Sequence, residues 1–398
     1  MTPLVSRRWA MGAALAAGAG AAVPLALTTL ESTGGTASAS TMADLYDAIV
    51  LGAGMSGLSA ARDLADRGKR VLVVEARQRI GGRMWTDRGT MPVPIERGAE
   101  LVHGDDVSTW PLIRESGVAT HRMRITLDRE RPSDPWQRTV QPVAGSNFRI
   151  IGGYDQILRP LTAKPTIQLD TVVRAVRYSR AGVTVHALRA GRPVTYRART
   201  CVVALPAGVL QHGDVRFSPP LPAPKTEALK AVKYLPVAKI LLEFPRQVLP
   251  YHADEIYDPD MYWNASADLP GYDGQVAVVW YEGPTARRLL TQPAESRYRA
   301  ALGRMRAITG RRDLTFRKAY MYDWSRDPFA RGAYPDFGVE NEREIYRTVD
   351  GVLFWAGVVT FRVDLSYSSG KEAAARVLRR LGAGTPLSGT ENRGRAHA

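Results

Sequence analysis

The chain has 398 residues, 45% of them hydrophobic and 23% charged, a globular composition that excludes collagen, coiled coil and wholesale disorder. Lys plus Arg exceed Asp plus Glu by 54 to 39, a formal +15, but the arginines are scattered with no dense basic run, so a nucleic-acid partner is not expected. A single cysteine, Cys201, rules out an internal disulfide, and six histidines without metal spacing argue against a zinc enzyme.

Residues 1–39 read as an export signal. Ser6-Arg7-Arg8-Trp9 sets twin arginines before the apolar stretch Ala10–Leu30, and Ala37-Ser38-Ala39 offers a small-residue cleavage site. The stretch is long enough to span a bilayer, but it is rich in Ala and Gly and interrupted by Pro24, so no stable membrane insertion is expected after processing. The twin-arginine export machinery is the implied partner, and the destination is extracytoplasmic or secreted. That route carries folded proteins, which suits a chain that takes up a cofactor before export.

Tyr46–Leu51 reads as a buried strand. Gly52-Ala53-Gly54-Met55-Ser56-Gly57 follows, then a helical period from Leu58 to Arg67, then a second buried strand, Arg70–Glu75. A strand, glycine turn, helix and strand in this order form a dinucleotide-binding start. Gly52 permits the tight turn, Gly54 lets a pyrophosphate approach the backbone, and Gly57 lets the helix pack on the strand. The helix start at Met55 and Ser56 offers free N–H groups to phosphate. Glu75 stands where a carboxylate accepts from ribose hydroxyls and disfavours a 2′-phosphate.

Further strands are expected at Ile167–Leu169, Val172–Tyr178, Val183–Leu188, Thr200–Leu205, Ala238–Phe244, Gln275–Tyr281 and Val352–Trp355, with helices at Pro224–Val232, Glu295–Ile308 and Gly370–Leu381. The mixture predicts an α/β (α+β) chain, and the polar end from Gly382 reads as a flexible tail over 385–398.

Past Glu75, Ala76-Arg77-Gln78-Arg79-Ile80-Gly81-Gly82-Arg83 adds a Gly-Gly-Arg turn that would bring backbone N–H groups and a guanidinium to a pyrophosphate. Here the chain resembles the flavin amine oxidase family: monoamine, polyamine and L-amino-acid oxidases and flavin histone demethylases. The resemblance runs through Arg97–Gly104, closest in style to polyamine oxidases, and through Gly152–Leu158, Leu169–Val173, Cys201–Leu210, Pro236–Pro245 and Asp327–Tyr334. It implies a Rossmann-like FAD-binding domain, 46–104, 147–230 and 327–384, interleaved with a smaller substrate domain, 105–146 and 231–326, containing a mixed sheet. It assigns Gly52, Gly54, Met55, Ser56, Gly57, Glu75, Ala76, Arg77, Gly82, Arg83, Val173 and Gly357 to FAD. Ala333 stands where covalent members carry cysteine, so the resemblance implies non-covalent FAD.

Two residues are matched to the chemistry. Lys239 lies within an apolar strand, where an ammonium needs a reason to be buried; by resemblance it faces flavin N5 through a water. Tyr334 matches one aromatic wall of the substrate path, while Phe361 and Tyr367 read as ordinary packing. The chain departs from the family after Ala356-Gly357, where Val358-Val359 replace the usual acidic residue and the loop is short.

The implied reaction is oxidation of an amine C–N bond to an imine by hydride transfer to N5, with O2 as reoxidant giving H2O2. An L-amino-acid oxidase is an alternative, with Arg362 as a candidate for the carboxylate. A flavin dehydrogenase or desaturase of secondary metabolism and a non-catalytic flavin protein are others. The substrate is then a small amine or amino acid. Glu100, Asp105 and Asp106 are expected to make the cavity mouth acidic, and a second copy of the chain is a candidate partner for completing it.

Overall fold

The computed structural model describes residues 45–127, 146–249, 255–258, 260–336 and 339–382. The expected export signal and the tail at 385–398 lie outside them. The expected start is built as read: strand Leu45–Leu51, helix Met55–Ala65 and strand Val71–Val74. Ala48–Leu51 and all of Val71–Val74 are buried, as a two-sided parallel strand requires.

The strands gather into an eight-stranded sheet. Leu45–Leu51 lies between two parallel neighbours, Val71–Val74 and the end of Arg192–Val203. Arg192–Val203 starts eight residues before the expected Thr200. Its first half pairs antiparallel with Gly182–Arg189, and its second half runs parallel between Leu45–Leu51 and Leu353–Trp355. One long strand thus joins an antiparallel meander, which includes Thr171–Ser179, to the parallel nucleotide-type sheet.

A six-stranded sheet orders Lys318–Met321, Val237–Phe244, Gln275–Glu282, Asp260–Asn264, Glu255–Asp258 and Ile125–Leu127. Val237–Phe244 splits its faces with period two. Ala238, Ile240, Leu242 and Phe244 pack into a core with helix residues Ala301 and Met305, while Val237 and Lys239 face a cavity.

The last helix begins at Val363, two turns earlier than expected, and runs to Gly382. Ser366, Ser368 and Ser369 fall outside the expected helix because Ser is a poor helix former. Tertiary packing overrides that preference: a Cβ at Gly370 would lie 2.2 Å from the Ser56 carbonyl of the first helix. The two helices can cross this closely only over a glycine. Among the described residues, no helix is long and apolar enough to cross a membrane.

Candidate active site

One cavity of about 380 Å³ takes in Gly52, Gly54, Met55, Ser56, Glu75, Ala76, Arg77, Gly82, Arg83, Val173, Lys239, Tyr334 and Gly357 on its walls. Of the residues matched to FAD and to the chemistry, only Gly57 stands back from it. A Cβ at Gly57 would sit 2.0 Å from the Gly52 carbonyl, so its hydrogen is what seats the helix on the turn. Gly52 takes a positive φ of 99°. At Gly54 a Cβ would meet nothing within 4 Å, so the space beside it is open to a ligand.

The Met55 helix has no side-chain cap, so its first N–H groups are available to an anion. Glu75 is buried; its Oε2 accepts from Ala53 N at 2.8 Å and its Oε1 from Arg77 N at 2.9 Å. The carboxylate is thereby fixed at the end of its strand. Arg77 Nη2 donates to Asp327 Oδ1 at 2.6 Å, and Asp327 also accepts from Tyr322 Oη and Phe329 N. Burial opposes ionisation of Asp327, but the Arg77 guanidinium and these donors hold its carboxyl below the usual range.

The glycine pair Gly81-Gly82 lies against Gly54, with Gly81 N donating to Ala53 O at 2.8 Å. Arg79, which sequence reasoning did not single out, staples this turn from behind. It donates to Gly82 O at 2.8 Å and stacks 4.1 Å over Trp85, and burial lowers its pKa to about 10. Arg83 reaches forward to Ala333 O at 2.6 Å and Thr360 O at 3.3 Å. An open glycine wall, uncapped helix N–H groups and a fixed ribose-type acid are what a flavin dinucleotide requires, and these residues fit it.

Gly357 has φ +65° and donates to Ser369 Oγ at 3.0 Å. Val358 and Val359 turn into the core, which is why no acidic side chain is accommodated there. The short loop is closed instead by Thr360 and Ser366, whose hydroxyls lie 2.6 Å apart.

Lys239 is 6% exposed. Its Nζ donates to Glu96 O at 2.7 Å and Gly98 O at 3.1 Å and lies 2.6 Å from Glu100 Oε2. Trp280 stands directly opposite it in the strand register and meets the Tyr334 ring edge-on at 5.8 Å. Both rings are on the cavity wall. Desolvation pushes the Tyr334 hydroxyl up to about 12, so it stays neutral at working pH. Trp280 was missed from sequence because its partnership with Lys239 depends on a cross-strand register, although its alternation with Val276 and Val278 marks the same face.

Of the three acids expected at the mouth, Glu100 reaches the cavity, while Asp105 and Asp106 are exposed and off its wall. Phe361 lines the cavity, unlike Tyr367, which packs on the core behind. Arg362 lines it too, but Asp364 holds its guanidinium through two contacts of 2.9 Å, and it also donates to His103 O. His103 is bound to Asn147 at 2.9 Å, and burial lowers its pKa.

A family profile described as flavin containing amine oxidoreductase matches residues 55–135 and 135–378. Human lysine-specific histone demethylase 2 is 23% identical over 440 residues, covering 83% of this chain and 53% of that protein. The chain thus spans about half the length of the curated relatives it matches first. Among solved structures, putrescine oxidase bound to putrescine aligns with a TM-score of 0.71 at 18% identity, covering 84% of this chain and 99% of that one. Cyclohexylamine oxidase from Brevibacterium oxydans IH-35A aligns with a TM-score of 0.69 at 18% identity, covering 85% and 99%. At these identities the two structures speak for the fold.

Proposed function

The chain belongs to the flavin containing amine oxidoreductases, and from that premise we propose that it is an FAD-dependent amine oxidase that converts a C–N bond of a small amine to an imine. The observation that carries the reading is that Lys239, Trp280 and Tyr334 share one cavity with Gly52, Gly54, Glu75, Gly81 and Gly82. The relatives named putrescine oxidase and cyclohexylamine oxidase support it.

Bound FAD supplies the acceptor for the hydride of the amine α-carbon and, with O2, an outlet as hydrogen peroxide. The chain's own residues do the rest. The turn at Gly52–Gly57 and the Gly81-Gly82 pair would hold the pyrophosphate, and Glu75 would hold the ribose. Trp280 and Tyr334 flank the amine and exclude water from its α-carbon. Lys239, on the cavity wall, would orient the water that hydrolyses the imine. Because a neutral amine is the species that reacts, the oxidation rate rises with pH.

Several finer points belong to the same proposal. FAD is held non-covalently: Ala333 is on the cavity wall, and Cys201 is fully buried in its strand, with burial pushing its thiol pKa up. The FAD half is 46–104, 147–230 and 327–384, and the substrate half is 105–146 and 231–326. The protein leaves the cytoplasm by the twin-arginine route on the strength of Arg7-Arg8 and the stretch that follows.

The test is oxygen uptake and peroxide formation by the purified, FAD-loaded chain with a panel of primary amines, diamines and amino acids. Stoichiometric peroxide and aldehyde or ketone from an amine would bear the reading out. Flavin turnover with an artificial acceptor but not with O2 would make it a dehydrogenase. No turnover with any amine under either condition would overturn it.

A further inference from the structure

We propose that the substrate is a monoamine with an apolar body that packs on Phe361, and that the cavity rejects a second ammonium. This names the substrate class within the amine-oxidation reading of the cavity and rests on that reading.

The charged groups on the cavity wall speak against a second cation. Seven residues there are Lys or Arg and three are Asp or Glu. The two phosphates of a bound dinucleotide still leave cations in excess, so a further positive charge is repelled. Each of the three carboxylates is already engaged. Glu75 accepts from the Ala53 and Arg77 backbone N–H groups. Glu100 is enclosed, with Lys239 Nζ 2.6 Å from its Oε2. Asp214 accepts from Arg331 Nε at 2.6 Å and Nη2 at 2.9 Å, and His212 Nδ1 lies 3.0 Å away. A charged substrate end would therefore give up its hydration without gaining a carboxylate among the described residues of the wall. The same excess of positive charge favours the neutral form of the reacting amine.

What the wall offers around Lys239 is apolar surface. Val237 shares the Lys239 strand face, and Trp280 and Tyr334 meet edge to face at 5.8 Å to form one continuous surface beside it. Phe361 adds a third ring. Arg83 donates to both Ala333 O and Thr360 O, the residues just before Tyr334 and Phe361, and so holds the two ring-bearing segments side by side. The short loop after Gly357 makes this possible: Val358 and Val359 turn into the core, and Phe361 is left on the cavity wall.

Phe361 is 37% exposed, an unusual state for a large apolar ring. An alkyl or aryl group that covers it removes apolar area from water on both partners. An ammonium at the same place would lose hydration and gain nothing from the ring's neighbours on the wall, which are themselves cationic or apolar. Phe361 is thus a specificity-determining residue: it favours an apolar chain end over a charged one.

The experiment adds hexylamine or 1,6-diaminohexane, which share one chain and differ in the far ammonium, to the FAD-loaded full chain without oxygen at one fixed pH. The readout is perturbation and bleaching of the bound flavin, in the wild type, Phe361→Ala and Phe361→Asp. Hexylamine should bind and bleach at least about tenfold more effectively than the diamine, because only the diamine must desolvate a charge. Phe361→Ala should weaken hexylamine by about threefold to tenfold and the diamine much less. Phe361→Asp, which sets a carboxylate on the wall, should shrink or reverse the preference. A diamine that matches or exceeds hexylamine in the wild type, or a preference that neither variant alters, overturns the proposal. Should Phe361→Asp fail to hold FAD, the wild type and Phe361→Ala decide. Hexylamine that binds preferentially but, like every other amine, never bleaches the flavin upholds the selectivity and sinks the oxidase reading instead.

Discussion

Arg77, on the wall of the cavity, meets Asp327, 250 positions away in sequence, at 2.6 Å. The pair ties the end of the nucleotide-binding turn to the segment that carries Tyr334. Asp327 is buried and Arg77 partly so, with Glu75 Oε1 as a second carboxylate 3.8 Å from the guanidinium. Asp327→Asn removes the nearer partner and is expected to cost about 1–3 kcal/mol. Thermal unfolding checks this. The sign with pH follows from the lowered carboxyl. Asp327 contributes stability that is present above the usual carboxylate pKa of about 4 and is lost as pH falls below it. The acid limb of the melting profile should therefore be shallower in Asp327→Asn than in the wild type.

The glycines of the first turn should divide into two behaviours. Gly57→Ala places a methyl 2.0 Å from the Gly52 carbonyl, so it should destabilise the fold by at least about 1–3 kcal/mol, as overpacking does. Gly54→Ala meets no protein atom. It should melt like the wild type and bind FAD more weakly. Melting curves with and without added FAD separate the two. Equal behaviour of both variants would contradict the assignment.

That contrast also marks what could be read from sequence. The strand, turn and helix from Leu45 to Ala65 are local, set by a short apolar run and glycines a few residues apart, and so are the acid at Glu75 and the isolated lysine at Lys239. Glu100 as the partner of Lys239, and Trp280 opposite it, were not legible. They depend on which strands lie side by side, a choice made over 40 to 140 residues of chain. The start of the last helix was misread for a related reason. The serines before Gly370 do not look helical until the first helix, from which Ser56 meets Gly370, supplies the surface that the added turns pack on.

Glu96 should govern stability near neutrality. It is fully enclosed, and burial raises its carboxyl to about 7, although Tyr154 N and Thr86 Oγ1 donate to it. A raised carboxyl binds more protons in the folded state, so its unfavourable contribution grows as pH rises from about 4.3 through 7. The size is on the order of 1–3 kcal/mol. Glu96→Gln should flatten the fall in melting temperature between pH 5 and pH 8. An unchanged slope would show that Glu96 does not titrate there.

Lys239 and Glu100 should be strongly coupled. Lys239→Met leaves the Glu100 carboxylate buried with only Arg149 near it, at 3.7 Å. The single variant should lose about 3–5 kcal/mol. Adding Glu100→Gln should restore part of that loss, a coupling of about 1–3 kcal/mol in a double-mutant cycle. Additive losses would mean the two groups do not interact.

The most direct test of the account is the absorbance of the FAD-loaded chain in the absence of oxygen, with amines added one at a time. The account predicts that the flavin band near 450 nm bleaches with at least one amine, bleaches faster as pH rises, and returns with peroxide when air is admitted. A chain that holds FAD but is bleached by no amine, at any pH, would contradict it.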